Sequence, residues 1–419
     1  MTDIHALIEA NRTGDTVGLP SFCTANAHVL RAILGCAGRV DAPIVIEATC
    51  NQVNQEGGYT GMTPADYMAW ITELASEAGV SMDRLILGGD HLGPNPWRKE
   101  TAESAMEKAR ELVRQYAEAG YRKIHLDASM ALGGEPQPSF ELVAERAAEL
   151  CAVAEKHAPE PEALIYIIGT EVPIPGGETE DTDTLDVTST ERLEKTIETH
   201  RAAFAARGLE AVWPRIVSVV TQPGVDFSHT SIYPFDPAPA APLRDAIKGV
   251  EGLSFEAHST DYQSTEALAQ LVANHFFFLK VGPELTFRFR EAVFALAAIE
   301  AELGLSDPSR IIETLDACMA ERPDHWQDYY QGSAQEIRLL KRYSYSDRIR
   351  YYWGDPQVAG ALDKLLTNLR GARLSESLVS QYFSGFDFGT IPTSPDEMIA
   401  RHVQGSVLRY FAACGFKAH

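Results

Sequence analysis

Across its first 300 residues the chain alternates short apolar runs with longer amphipathic segments, and it does so eight times. The apolar runs fall near 17–22, 43–48, 84–89, 122–127, 163–168, 214–220, 252–257 and 276–281. The segments between them carry helical periodicity and end signals. Ala102–Ala119 stops at Gly120, Ser139–His157 begins with a capping serine, and Ser189–Arg207 stops at Gly208. Eight strand-helix units suit a closed (β/α)₈ TIM barrel better than an open doubly wound sheet. The class is therefore α/β. After about residue 303 the alternation fails. Helix-prone stretches follow at 306–321, 333–342, 356–370 and 394–413, with an aromatic, arginine-bearing run at 343–353. The expected organisation is a barrel over 1–303 and a C-terminal helical extension over 304–419 packed on it.

The balance of charge excludes whole classes of partner. A net charge of −23 disfavours nucleic acid and anionic membranes but leaves room for a small anion in a locally basic pocket. No apolar stretch reaches the ~18 residues of a membrane span. The start, Met1-Thr2-Asp3-Ile4-His5, lacks the basic and apolar regions of a signal peptide. Six scattered cysteines without C-x-x-C read as reduced thiols. Together these features predict a cytoplasmic protein.

In such a barrel, chemistry gathers where strands end at their C-terminal side. The ends here are Ser21–Asn26, Glu47–Gln52, Asp90-His91, Asp127–Ser129, Thr170-Glu171, Thr221–Gly224, Glu256–Asp261 and Lys280–Glu284. An acid, imidazole, amide or lysine stands at nearly every one, which makes the set more telling than any member. Asp90 can move a proton. His91 and His258 can hold a metal, and a catalytic zinc takes three protein ligands plus an open position. The third ligand is open among His229, Gln222 and Glu171. Asn26, Glu47, Asn51 and Ser129 are candidates to bind substrate. Ser259, Thr260, Lys280 and the Gly282 backbone lie where barrels commonly bind phosphate, and Arg348 or Arg350 could close over the same anion. His125 reads as a core histidine inside a strand, His28 and Glu284 as helix-terminus residues, and Cys23 and Cys50 as packing residues.

These residues resemble class II fructose- and tagatose-bisphosphate aldolases. The likeness is carried by Ser21-Phe22 with Asn26, by Asp90-His91, by Ile124–Ser129, by Gly169-Thr170-Glu171 with Gly176-Gly177, and by Leu279-Lys280-Val281. A closer resemblance is to the accessory, non-catalytic subunit family of D-tagatose-1,6-bisphosphate aldolase (GatZ/KbaZ-like). Two long motifs carry it, Gly88–Trp97 and Ser344–Trp353. The resemblance implies a TIM barrel, a divalent metal (Zn²⁺, with Mn²⁺ as the alternative) and sugar-phosphate substrates. Some members are similar to tagatose-6-phosphate 4-epimerases. By the same resemblance, Asp90 is the acid/base and His91 and His258 are metal ligands. The aldolase histidine near the end of the sixth strand is absent, so the metal site is either altered or completed by His229. Glu171 or Asp127 is expected to serve the opposite face of the substrate. The implied partners are a small-molecule sugar phosphate and either a second copy of the chain or a class II aldolase subunit. A kinase role has no support, since no glycine-rich nucleotide loop with lysine is present.

Overall fold

In the computed structural model, which describes residues 3–170 and 185–418, eight parallel strands close into a barrel. They are Leu19–Cys23, Ile44–Thr49, Leu85–Leu92, Lys123–Leu126, Ile165–Ile168, Ile216–Val220, Ser254–Ala257 and Phe276–Val281. First and last strands pair in parallel, Leu19 opposite Phe278 and Phe22 opposite Val281, which seals the sheet. All eight expected strands are present within a few residues, so the fold is the (β/α)₈ barrel the alternation predicts.

The helices form where local chemistry starts and stops them. Thr101, Ser139, Ser189 and Ser264 each accept a backbone N–H in the first turn of the helix they open. Helix Pro64–Glu77 has a full capping box between Thr63 and Asp66. Within the barrel two elements lie outside the expected pattern. A helix over Ile4–Thr13 precedes the first strand, and a two-residue hairpin, Asp226–Phe227 against Ile232–Tyr233, follows the sixth. The N-terminal helix has a packing reason: Ile4 and Ile8 join Leu19, Val45, Ile86, Ile165 and Phe278 in a separate apolar cluster inside the barrel.

The interior changes character along the barrel axis. Side chains on a strand alternate faces, so residues two apart share the inside. Above the apolar layer come Glu47, Lys123, Glu256 and Lys280, all buried. Above these stand Asp90, His125 and His258. Gly88 is part of this arrangement, because a Cβ there would lie 2.7 Å from Glu47 Oε1.

After residue 303 the chain forms helices Ile311–Glu321, Ala334–Tyr343, Pro356–Arg370, Glu376–Tyr382 and Pro395–Ala413. The last packs against Ala27–Gly35, Thr265–Ala273 and Pro283–Glu302 of the barrel's outer ring. Its Tyr410 hydroxyl donates to Thr260 O at 2.7 Å and so pins the loop after the seventh barrel strand. No helix among the described residues is long and apolar enough to cross a membrane. All six cysteines are buried and free.

Candidate active site

A cavity of about 530 Å³ opens at the C-terminal ends of the strands. That is within the usual size of a small-molecule site, roughly 300–1,000 Å³. Barrel residues form its floor, and Arg322, His325, Arg350, Tyr351 and Trp353 of the extension form part of its wall.

Asp90 and His91 both line this cavity although they are consecutive in one strand. A regular strand would send neighbours to opposite faces. His91 has φ +51°, and the register between the third and fourth strands breaks between Gly89 and Leu92. This local irregularity turns both side chains to the same mouth. Gly93 follows at a close crossing, where an added Cβ would lie 1.7 Å from Asp127 O. Ser259, after the seventh strand, also has a positive φ, +52°. Backbone strain of this kind gathers at functional sites.

Three imidazoles meet on the cavity floor. Ring centroids of His91, His125 and His258 are 5.0, 4.9 and 5.2 Å apart, a nearly equilateral triangle. Each ring has a carboxylate at one nitrogen. His91 Nδ1 lies 2.7 Å from Asp127 Oδ2, His125 Nδ1 2.9 Å from Asp90 Oδ1, and His258 Nε2 2.9 Å from Glu256 Oε1. At His91 and His258 the carboxylate takes the N–H and so leaves the lone pair on the other nitrogen. His125 Nδ1 also faces the backbone N–H of His91 at a longer 3.2 Å. His125 Nε2 is buried without a hydrogen-bond partner among the described residues.

One donor atom each from Asp90, His91, His125 and His258 lie within 4.8 Å of one another. Three imidazoles, each oriented by a carboxylate, are a zinc-type donor set. The charge balance agrees. Among the described residues, the four acids Glu47, Asp90, Asp127 and Glu256 gather with two lysines, Lys123 and Lys280, an excess of acids that suits a cation.

Asp90 and Glu256 are held ionised. Burial works against the Asp90 carboxylate, but His91, Lys280, His125 and His258 outweigh it and hold its pKa well below the usual range. Glu256 is likewise depressed against burial, by Lys123 and Lys280. Burial opposes the charge of Lys280, yet Asp90, Glu47 and Glu256 raise its pKa well above the usual value. Burial also opposes protonation of His91, but Asp90 and Asp127 raise it. For His258 burial prevails over Glu256 and lowers the pKa to about 4. Asp90 Oδ1 is taken by His125 and by Lys280 Nζ at 2.7 Å. Its Oδ2 stands near Cys23 Sγ at 3.7 Å and His91 Nε2 at 3.7 Å. Burial pushes the pKa of the Cys23 thiol well up.

The structure changes several sequence-based expectations. His229 is not with the other histidines. Its Nδ1 faces Ser346 Oγ at 3.2 Å and its Nε2 faces Tyr329 O at 3.0 Å, so it ties the loop after the sixth strand to the extension. His125, read as a core residue, stands in its place. Gln222 accepts the Gly224 and Val225 N–H groups and closes its own turn. Asp127 and Ser129 are not among the residues that line the cavity; His91 and Ser129 occupy the Asp127 oxygens, so the pair supports His91. Glu47 is buried in ion pairs with Lys123 and Lys280. Arg348 is buried, donates to His325 O at 2.7 Å and lies over the Tyr329 ring. Asn26 and Asn51 do line the cavity, although Asn26 also caps helix Ala27–Gly35. Glu171 lies outside the described residues.

The phosphate corner differs as well. Asp261 Oδ1 accepts the N–H groups of Gly282 and Glu284 at 2.9 and 2.8 Å. Thr260 Oγ1 donates to Lys280 O at 2.5 Å, and the Lys280 ammonium faces the acids. Of that group Ser259, Lys280 and Gly282 line the cavity and Thr260 does not.

The model of the D-tagatose-1,6-bisphosphate aldolase subunit GatZ/KbaZ-like family matches residues 4–415. The chain belongs to the GatZ/KbaZ-like family. Among solved structures, a probable tagatose 6 phosphate kinase from Sinorhizobium meliloti 1021 is 43% identical with a TM-score of 0.88. That match covers 95% of this chain and 100% of the other. A fructose-bisphosphate aldolase from Campylobacter jejuni is 12% identical at a TM-score of 0.46, covering 87% and 91% of the two chains. The YdjI aldolase from Escherichia coli K12 is 12% identical at 0.41, covering 84% and 96%. This GatZ/KbaZ-like chain therefore combines a family-wide match with a polar, histidine-rich barrel mouth.

Proposed function

We propose that the protein is a metal-dependent 4-epimerase of ketohexose 6-phosphates. It would interconvert D-tagatose 6-phosphate and D-fructose 6-phosphate by breaking and remaking the C3–C4 bond. The observation that carries this reading is the triangle of His91, His125 and His258, each ring backed by a carboxylate, beneath a cavity that also holds Asp90.

C4 of a 2-ketose is not adjacent to the carbonyl, so removing an α-proton cannot invert it. Cleavage between C3 and C4 can. Asp90 Oδ2 takes the proton of the C4 hydroxyl. The C4–O bond becomes a carbonyl, and the C3–C4 electron pair passes into the three-carbon enediolate. The aldehyde half then turns over its other face to C3. The bond re-forms, and Asp90 returns the proton to the C4 oxygen. A divalent cation on the three histidines, Zn²⁺ or Mn²⁺, supplies Lewis-acid stabilisation of the negative charge that this chemistry develops. Lys280 holds Asp90 ionised and fixes its Oδ1, which leaves Oδ2 toward the cavity. Asp127 and Glu256 fix the rings of His91 and His258. Glu171 is proposed as the group on the opposite face.

A second reading, an accessory subunit that stabilises a class II tagatose-bisphosphate aldolase, is favoured by the family description. A pure scaffold has no physical need for four convergent donor atoms at a cavity floor, and that favours the enzyme. Phosphoryl transfer, the activity in the name of the Sinorhizobium neighbour, finds no nucleotide loop in this chain. The test is incubation of the purified, Zn²⁺- or Mn²⁺-loaded protein with D-tagatose 6-phosphate. Formation of D-fructose 6-phosphate supports the epimerase. Its absence with metal shown to be bound, together with co-purification of an aldolase subunit, supports the scaffold.

A further inference from the structure

Three lysine or arginine side chains line the cavity: Lys280, Arg322 and Arg350. Lys280 is neutralised by Glu47 and Asp90. Arg322 pairs with Asp355 at 2.5 Å. Arg350 forms no ion pair among the described residues. Its Nη1 donates to Ser346 O and, at 3.2 Å, to Asp347 O, and its Nη2 donates to the Tyr351 hydroxyl at 2.9 Å. A guanidinium has five N–H groups. Three are used, which leaves the Nε–H and one Nη2–H to donate to an oxyanion.

The guanidinium is held in place before any ligand arrives. It lies 4.5 Å from the Tyr351 ring centroid. Tyr351 is itself stacked on His325 at 4.6 Å and meets the Tyr59 ring edge-on at 4.8 Å. Tyr59 comes from the loop after the second barrel strand, so barrel and extension clamp the arginine together. At the corner after the seventh and eighth strands the backbone donors are already taken. There the backbone N–H groups of Gly282 and Glu284, at the start of helix Pro283–Glu302, already hold the Asp261 carboxylate. Those donors are therefore not available to a second oxyanion.

We infer that Arg350, on the C-terminal extension, is the anchor for the phosphate ester of the substrate and sets the preference for phosphorylated over free ketoses. The inference rests on the sugar-phosphate reading of the site. It adds that the anion is recognised by the extension and not by the usual phosphate corner of the barrel. The extension is then part of the active site and not only its packing.

The test is calorimetric binding of D-fructose 6-phosphate and of D-fructose to the full-length, Zn²⁺-loaded protein and to Arg350→Ala and Arg350→Lys. A charge-assisted anchor predicts that wild type prefers the phosphate ester and that Arg350→Ala weakens its binding by about 10- to 100-fold. Binding of D-fructose should change less than about two-fold, and Arg350→Lys should keep part of the preference because the charge remains. The fructose affinity and the zinc content report that the variants are folded. An unchanged preference in Arg350→Ala overturns the inference, as does a wild-type protein that binds both sugars equally. Binding needs no turnover. A protein that binds the ester through Arg350 but forms no tagatose 6-phosphate contradicts the epimerase and leaves the anchor standing.

Discussion

His91 Nδ1 lies 2.7 Å from Asp127 Oδ2, and both side chains are buried. The carboxylate fixes the ring and its tautomer, so that Nε2 presents a lone pair to the floor of the cavity. Asp127→Asn keeps the shape and removes the charge. Its zinc affinity should fall by about 10- to 100-fold, measured by competition with a chromophoric chelator. An unchanged affinity would mean that His91 is not a ligand.

His125 and His229 should separate cleanly. His125→Ala removes a member of the histidine triangle and should abolish stoichiometric zinc binding. His229→Ala cuts the contacts to Ser346 and Tyr329 that join loop and extension. It should keep zinc and lose about 1–2 kcal/mol of stability, as expected for a broken part-buried hydrogen-bond pair. Metal analysis beside urea denaturation checks both. Zinc loss in His229→Ala alone would restore the sequence-based assignment.

Asp347 gives a pH signature away from the metal site. Burial raises its pKa from the usual carboxylate range to about 7, against the pull of Arg290 and Thr286. The folded state therefore favours the protonated acid. The stabilisation is complete below the unfolded pKa and is lost as pH rises through about 7. Stability should fall with rising pH over this window by up to about 1.4 kcal/mol per unit from this one group. Asp347 has φ +45°, which asparagine tolerates, so Asp347→Asn should fold and show a flatter profile. Urea midpoints between about pH 4 and pH 8 decide it; parallel profiles for the two proteins would contradict the assignment.

Lys280 should matter to rate through Asp90. Lys280→Met removes the ammonium 2.7 Å from Asp90 Oδ1. The Asp90 pKa should rise, because burial then meets less opposition. The acid limb of the pH–rate profile should move upward with it, a change that a purely structural defect would not produce.

Much of this was legible in the sequence, for identifiable reasons. The eight runs and their capping residues fix the barrel because period two and period 3.6 leave different marks. Asp90, His91 and His258 stand at strand ends, where function is expected. His125 was obscured by its neighbours, since Ile124 and Leu126 make it look like core. The available signal was Lys123 and His125 two apart on one strand, with Glu47 and Glu256 on others, which marks a polar barrel interior. The turn at His91 could not be read, because nothing in Gly89-Asp90-His91 announces a positive φ. His229 was misplaced because the path of a loop is set by what it meets, here Ser346 and Tyr329. The phosphate corner was misjudged for a similar reason: Asp261 folds back onto the backbone donors that a phosphate would use.

The central claim is that Asp90 moves the proton while the histidines hold the metal. Zinc content and tagatose 6-phosphate turnover, measured on the same preparations of Asp90→Asn and His91→Ala, test it most directly. Asp90→Asn should keep its zinc and lose turnover by at least about 100-fold, whereas His91→Ala should lose both. Full activity in Asp90→Asn, or full zinc and activity in His91→Ala, would contradict the account.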